Sequence, residues 1–165
     1  MGRTKNPATA FSKHDHQSCC GDVLENADRR VKQAGLRMTP VRRRVLEILL
    51  EGHHAMGAYQ VLERLAEEGF GKQPPVAYRA LEFLVENGLA HRISRLNAFT
   101  ACMQPSVSHS PTFFICTKCN GVAEARAQTV GNALNAVSNK MGFQIDRMSI
   151  EVMGTCETCL LANPT

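Results

Sequence analysis

The chain has 165 residues, so it holds one domain or two small ones. Its excess of four positive charges sits entirely before Gln104, where fifteen Lys and Arg face eleven Asp and Glu; from Pro105 onward four face four. Front-loaded charge suits a polyanionic partner, whereas 5% aromatic content without tryptophan argues against a stacking platform for single strands. No apolar run approaches a membrane span, and no secretory leader is evident, so the expectation is a cytoplasmic protein in a reducing compartment.

Residues 1–17 lack periodicity and read as a pliable arm. Ser18 is placed to cap a helix running to about Ala34, with Val23, Leu24, Ala27 and Val31 as a partial apolar stripe and Gly35 beyond its end. Thr39-Pro40 is a stronger start: threonine accepts a bond at N-cap, and proline at N1 loses none. The helix it opens, 40–51, turns Val41, Val45, Leu46, Ile48 and Leu49 inward and stops at Gly52. A third helix fits Ala58–Glu68, ended by Gly69. A fourth starts at Pro74-Pro75 and runs to about Asn87, ended by Gly88. Two alternating segments, Leu89–Ser94 and Ala98–Cys102, make a hairpin across Arg95-Leu96-Asn97. Helices followed by a two-stranded wing predict a winged helix-turn-helix domain over 18–103, with 75–87 as its recognition helix.

The polar stretch 104–111 reads as a hinge linker. Beyond it, 112–165 predicts a small α+β unit: a strand at Thr112–Cys116, one near Val122–Ala125, a helix at Ala127–Lys140 and a strand at Phe143–Val152. The fold class is therefore mixed α/β. The second unit has little apolar content to stand alone, so its strands are expected to extend across a two-fold axis in a homodimer.

Two Cys-x-x-Cys pairs, Cys116/Cys119 and Cys156/Cys159, have 36 residues between them. Four thiolates so arranged are the usual ligands of a closed structural zinc site, the alternative being buried or disulfide-bonded cysteines. His91, Cys102, His109 and Glu124 offer two nitrogens, a sulfur and an oxygen around the domain junction. They suit a second, tetrahedral zinc whose thiolate disfavours hard ions, or else are ordinary packing and surface residues. In the recognition helix, Tyr78 reads as a backbone contact or a half-buried core residue. Arg79 can reach guanine or a phosphate. Tyr59 is placed for a phosphate contact, and Arg42, Arg43 and Arg44 add electrostatic affinity. His14, His16, Cys19 and Cys20 form a donor-rich stretch that is a weaker metal site, a redox-sensitive thiol pair or incidental. Neither G-x-G-x-x-G nor a phosphate loop occurs, and no organic cofactor or enzymatic role is expected.

The run Arg37-Met38-Thr39-Pro40 with Arg43, Ala58-Tyr59, Pro74-Pro75-Val76-Ala77-Tyr78-Arg79-Ala80-Leu81-Glu82-Phe83-Leu84, Gly88-Leu89-Ala90-His91, Phe114-Ile115-Cys116-Thr117-Lys118-Cys119-Asn120-Gly121 and Cys156-Glu157-Thr158-Cys159 resembles the Fur family of bacterial metal-dependent repressors, and within it the zinc-sensing members. The resemblance covers about 23–159. It implies a homodimer that binds palindromic A·T-rich double-stranded operators when zinc is bound and represses zinc-uptake genes. Each protomer would hold two zinc ions, a structural one on Cys116, Cys119, Cys156 and Cys159 and a regulatory one on His91, Cys102, His109 and Glu124, with Tyr59 and Arg79 touching DNA. Val107–Ile115 carries one histidine where iron and manganese sensors carry several, and Cys102 is the zinc-type choice. The family's usual threonine after the proline pair is replaced by Val76-Ala77, which removes a hydroxyl from the helix start. The rival readings are an iron- or manganese-responsive repressor of the same fold and a zinc-storage or chaperone protein without DNA binding.

Overall fold

The computed structural model describes residues 16–52, 54–103 and 111–162, and side chains from Cys20 onward. These residues fall into two compact units that divide between Met103 and Pro111.

The first unit is four helices and a hairpin: α1 (His16–Gln33), α2 (Pro40–Leu50), α3 (Ala58–Glu67), α4 (Pro74–Glu86), β1 (Ala90–Ile93) and β2 (Ala98–Ala101). The start of α2 follows from local chemistry. Thr39 is extended at φ −76°, and its hydroxyl accepts from the Arg42 N–H at 3.4 Å, while Pro40 occupies N1. At the start of α3 the Gln60 side chain accepts from the Gly57 N–H at 2.8 Å. Gly88 ends α4 at φ +66°, and an added Cβ would stand 3.1 Å from the Arg30 guanidinium. Glycine is favoured there by the left-handed conformation. The core is where the helices' apolar stripes meet: Val31 of α1, Leu46 and Leu49 of α2, Val61 and Leu65 of α3, and Leu81 and Leu84 of α4.

The wing is antiparallel, with His91 opposite Thr100 and Arg92 opposite Phe99. Backbone bonds fix it to the end of α4, to the segment just before α3 and across its own base. Leu89 N–H donates to Leu84 at 2.8 Å, Cys102 N–H to Leu89 at 2.9 Å, and Phe99 exchanges both backbone bonds with Met56 at 2.8 Å each.

The second unit is β3 (Pro111–Cys116), β4 (Val122–Arg126), α5 (Gln128–Lys140), β5 (Ile150–Gly154) and α6 (Glu157–Ala162), with strand order β4-β3-β5. β3 is central, antiparallel to β4 and parallel to β5. The register sets Cys116 against Gly154, and Thr117 N–H then donates to the Gly154 carbonyl at 2.8 Å. Both cysteine hooks therefore lie at one end of the sheet.

The elements differ from expectation at three places. α1 starts at His16, so Ser18 is inside the helix and does not cap it. The last strand is Ile150–Gly154 and not Phe143–Val152: its register with β3 runs from Ile150 opposite Thr112 to Gly154 opposite Cys116, and residues 143–149 are not in a strand. The second hook opens a short helix, α6, that the sequence reading lacked. No helix among the described residues is long and apolar enough to cross a membrane.

Candidate metal centres and nucleic-acid interface

The first hook is a turn: Asn120 N–H donates to the Cys116 carbonyl at 2.9 Å, with Asn120 in the left-handed region at φ 56°. The second begins where β5 ends, and Cys156 N–H donates to the Cys116 thiol at 3.4 Å. One sulfur from each of Cys116, Cys119, Cys156 and Cys159 lies within 4.8 Å of all the others, and Cys119 Sγ is 3.8 Å from Cys156 Sγ. A tetrahedron with zinc–sulfur bonds near 2.3 Å has edges of about 3.8 Å. A disulfide needs about 2.05 Å, and all the described cysteines are free thiols.

Their electrostatics call for a cation. The backbone N–H of Cys156, with those of Cys119 and Lys118, outweighs burial and lowers the Cys116 thiol to about 6. At Cys119 the Gly121 N–H pulls downward, but burial and the Cys116 and Cys156 sulfurs carry it above the ordinary thiol range. Cys159 is pushed up to about 12, first by its contact with the Cys156 thiol and then by burial. One thiolate is thus favoured, and further ionisation is opposed by crowding of like charges. A divalent cation removes that opposition, and four sulfurs at tetrahedral spacing suit zinc.

A second group of candidate ligands comprises His91, Cys102 and Glu124. His91 is on β1 and Cys102 follows β2; both are buried, and Cys102 N–H is fixed by Leu89. Glu124 is half-buried on β4, opposite Phe113. Nitrogen, sulfur and oxygen donors in one set fit zinc better than the hard cations. His109, the fourth residue expected there, lies outside the described residues, as does His14. The side chains of His16 and Cys19 do also. Cys20 is half-buried, with its thiol 3.4 Å from the Leu50 carbonyl, and belongs to the packing of α1 on α2.

In the first unit, Tyr59 at the start of α3 and Tyr78 near the start of α4 meet edge to face, ring centroids 6.5 Å apart at 89°. They are 66% and 40% exposed, which removes the core reading of Tyr78. Arg79 is exposed and, with Arg42, Thr39, Val41, Pro75, Val76 and Ala80, lines a cleft of about 260 Å³ between the N-terminal ends of α2 and α4. Val76 borders the cleft, whereas Ala77 is fully buried; of that pair only position 76 faces where a hydroxyl would have pointed outward.

The arginine run is more engaged within the fold than its sequence suggested. Arg43 pairs with Asp28 and, at 3.2 Å, with Glu47. Arg44 forks onto Glu68, Nε and Nη2 at 2.5 and 2.6 Å, and also reaches Glu47 and Glu51. The Asp28 and Glu68 bonds raise the pKa of Arg43 and Arg44, respectively, above the usual guanidinium value. Arg42 donates to the Arg37 carbonyl at 2.7 Å and lies 3.6 Å above the Phe83 ring, neither of which cancels its charge. Glu47 stands three and four residues beyond Arg44 and Arg43, so part of this neutralisation was readable from helical spacing.

A winged helix carrying exposed tyrosines and arginine, together with two candidate metal groups, defines a metal-binding winged-helix protein. The chain belongs to the ferric uptake regulator family, whose profile matches residues 33–153. It is 33% identical over 140 residues to the zinc uptake regulation protein of Escherichia coli (strain K12), covering 84% of this chain and 82% of that one. Among solved structures it is similar to a zinc uptake regulator complexed with zinc and DNA, at TM-score 0.82 and 32% identity over 87% of this chain and 96% of that one. It is also similar to holo XcZur, at TM-score 0.77 and 35% identity over 85% and 98%.

Proposed function

We propose that this chain is a zinc-responsive transcriptional repressor that binds palindromic A·T-rich operators of zinc-uptake genes as a zinc-loaded homodimer. The observation that carries the reading is the pair of chemically different donor groups, four cysteines and His91 with Cys102 and Glu124, in a chain similar along most of its length to a regulator solved with zinc and DNA.

The roles divide by chemistry. Cys116, Cys119, Cys156 and Cys159 form a closed, all-sulfur set and hold structural zinc. His91, Cys102 and Glu124, with His109, would hold the regulatory zinc, which would cross-link the residues that bind it. The wing that carries His91 and Cys102 is held by backbone bonds to Leu84 and Met56, so ordering its ligands would favour the DNA-competent population. Tyr59, Tyr78 and Arg79 face the duplex, and Arg42 contributes charge beside them; Arg43 and Arg44 mainly brace α2. The division of labour along the chain is an arm at 1–17, DNA binding at 18–103, a hinge at 104–111 and dimerisation at 112–165. An iron or manganese sensor is the poorer reading because Cys102 gives the regulatory set a soft ligand.

Cys102→Ser tests the division. It is expected to weaken zinc-dependent retention of an operator duplex in a mobility shift while leaving one zinc per protomer and the dimer mass intact. Equal operator affinity for variant and parent across graded free zinc would overturn the assignment.

A further inference from the structure

Asparagine loses its side-chain amide most readily before glycine, which has no side chain to obstruct attack by its own backbone nitrogen. The chain has two such pairs, Asn87-Gly88 and Asn120-Gly121, and the fold treats them differently. Asn87 is half-buried at the end of α4, where its side-chain amide donates to the Phe83 carbonyl at 2.8 Å and Gly88 N–H donates to Val85 at 3.1 Å. Asn120 is exposed in the first cysteine hook, at a left-handed φ of 56° that asparagine tolerates.

The closed turn is what restrains Asn120. Its N–H donates to the Cys116 carbonyl, and Cys116 N–H donates to the Gly121 carbonyl, at 2.9 Å each. Gly121 N–H donates to the Cys119 thiol. The nitrogen that would attack is thereby engaged, so the turn must open before Asn120 can react. Cys116 and Cys119 both belong to that turn, and zinc held by the pair would keep it shut.

We propose that Asn120-Gly121 is a hydrolytic self-modification site gated by the four-cysteine zinc: protein left without that metal converts Asn120 to aspartate or isoaspartate and thereafter holds zinc less tightly. The proposal rests on the structural-zinc reading above. In the opened hook the Gly121 nitrogen loses its proton and bonds to the side-chain carbonyl carbon of Asn120. The bond from that carbon to the side-chain nitrogen breaks, and ammonia leaves with the proton. Water then opens the cyclic imide at either carbonyl. Aspartate places a carboxylate beside four thiolates, which already outweigh the charge of a divalent cation. Isoaspartate adds a backbone atom before Gly121 and spoils the register of the turn. Time spent without structural zinc is thus recorded in the chain.

The test incubates full-length protein under reductant, zinc-loaded or stripped with EDTA, and maps its peptides by mass spectrometry with isoaspartyl methyltransferase labelling. Asn120 is expected to convert about tenfold or more faster in the stripped protein, because metal bound only to the closed hook lowers the open fraction by mass action. Asn87 should lag behind Asn120 in that sample. Cys102→Ser, which keeps the structural zinc, should protect Asn120 as the parent does. Asn120→Gly suits the left-handed turn and has no amide to lose. After the same stripped incubation it should reload zinc fully, whereas the parent reloads less in competition with a chromogenic chelator. Equal conversion of Asn120 with and without zinc, an unprotected Asn120 in Cys102→Ser, or undiminished reloading by converted parent would overturn the proposal. Metal content unchanged by Cys156→Ser would instead overturn the structural-zinc reading itself.

Discussion

The two units use their apolar residues in opposite ways. In the first, Leu46, Leu49, Leu65, Leu81 and Leu84 are fully buried, and the large apolar side chains left outside are Leu36 and the two tyrosines. In the second, α5 exposes Val130, Leu134 and Val137, with Met141 just after it, spaced by four, three and four residues, and Ser138 is its sole buried residue. Phe143, Leu160 and Leu161 are exposed as well. A helix keeps such a stripe at heptad spacing when another surface covers it. The first unit is thus complete in itself, and its exposed aromatics are free to read a ligand. The second leaves four thiols at one end of its sheet and an apolar stripe on α5 open, and the dimer proposed above would cover that stripe with a second copy of the chain.

The largest effect expected from that contrast is at the cysteine site. Cys156→Ser should lose the structural zinc, whose apparent binding energy in zinc-finger peptides is about 10–16 kcal/mol. The second unit should unfold and the dimer dissociate, while circular dichroism retains the helices of the first. Loss of all helical signal together would break the comparison. Next, Leu81→Ala should cost about 2–5 kcal/mol in denaturant unfolding of the first unit without changing zinc per protomer. Leu134→Glu places a charge in the exposed stripe and should raise the dimer dissociation constant by about 30-fold, a hot-spot loss of about 2 kcal/mol, in sedimentation experiments. An unchanged constant would mean that the stripe covers some other surface. Arg79→Ala should cost about 1–3 kcal/mol of operator affinity and relax discrimination at its base pair, leaving dimer mass untouched.

The smallest effect concerns the clamp between α2 and α3. Arg44 holds the Glu68 carboxyl below its ordinary range. A depressed acid stabilises the fold fully above its unfolded pKa and ceases to do so as pH falls through the folded value. Glu68→Gln should therefore flatten the acid limb of a stability-against-pH curve slightly and leave neutral stability nearly unchanged, because the pair is surface-exposed.

Much of this was legible because it is local. Thr39-Pro40 and Pro74-Pro75 announce helix starts, glycines announce their ends, and each Cys-x-x-Cys announces a hook. Tertiary partners were not legible. Glu68 meets Arg44 from 24 residues away, so the sequence showed three basic residues where the fold leaves one uncancelled. The span of β5 follows its register with β3, which alternation within 143–152 does not encode.

The parallel pairing of β3 with β5 has a further consequence, for how this chain tolerates change in length. When one cation joins Cys119 to Cys156, the 36 residues between them become a closed ring. Ring closure is insensitive to size, since each doubling of length costs only about 0.6 kcal/mol. Residues 143–149 run outside the sheet and are mostly exposed, so insertions there should pass almost unnoticed. A single residue added between Ile150 and Cys156 would instead move the second hook out of step with the first. The ring is elastic along its circumference and intolerant at its clasp.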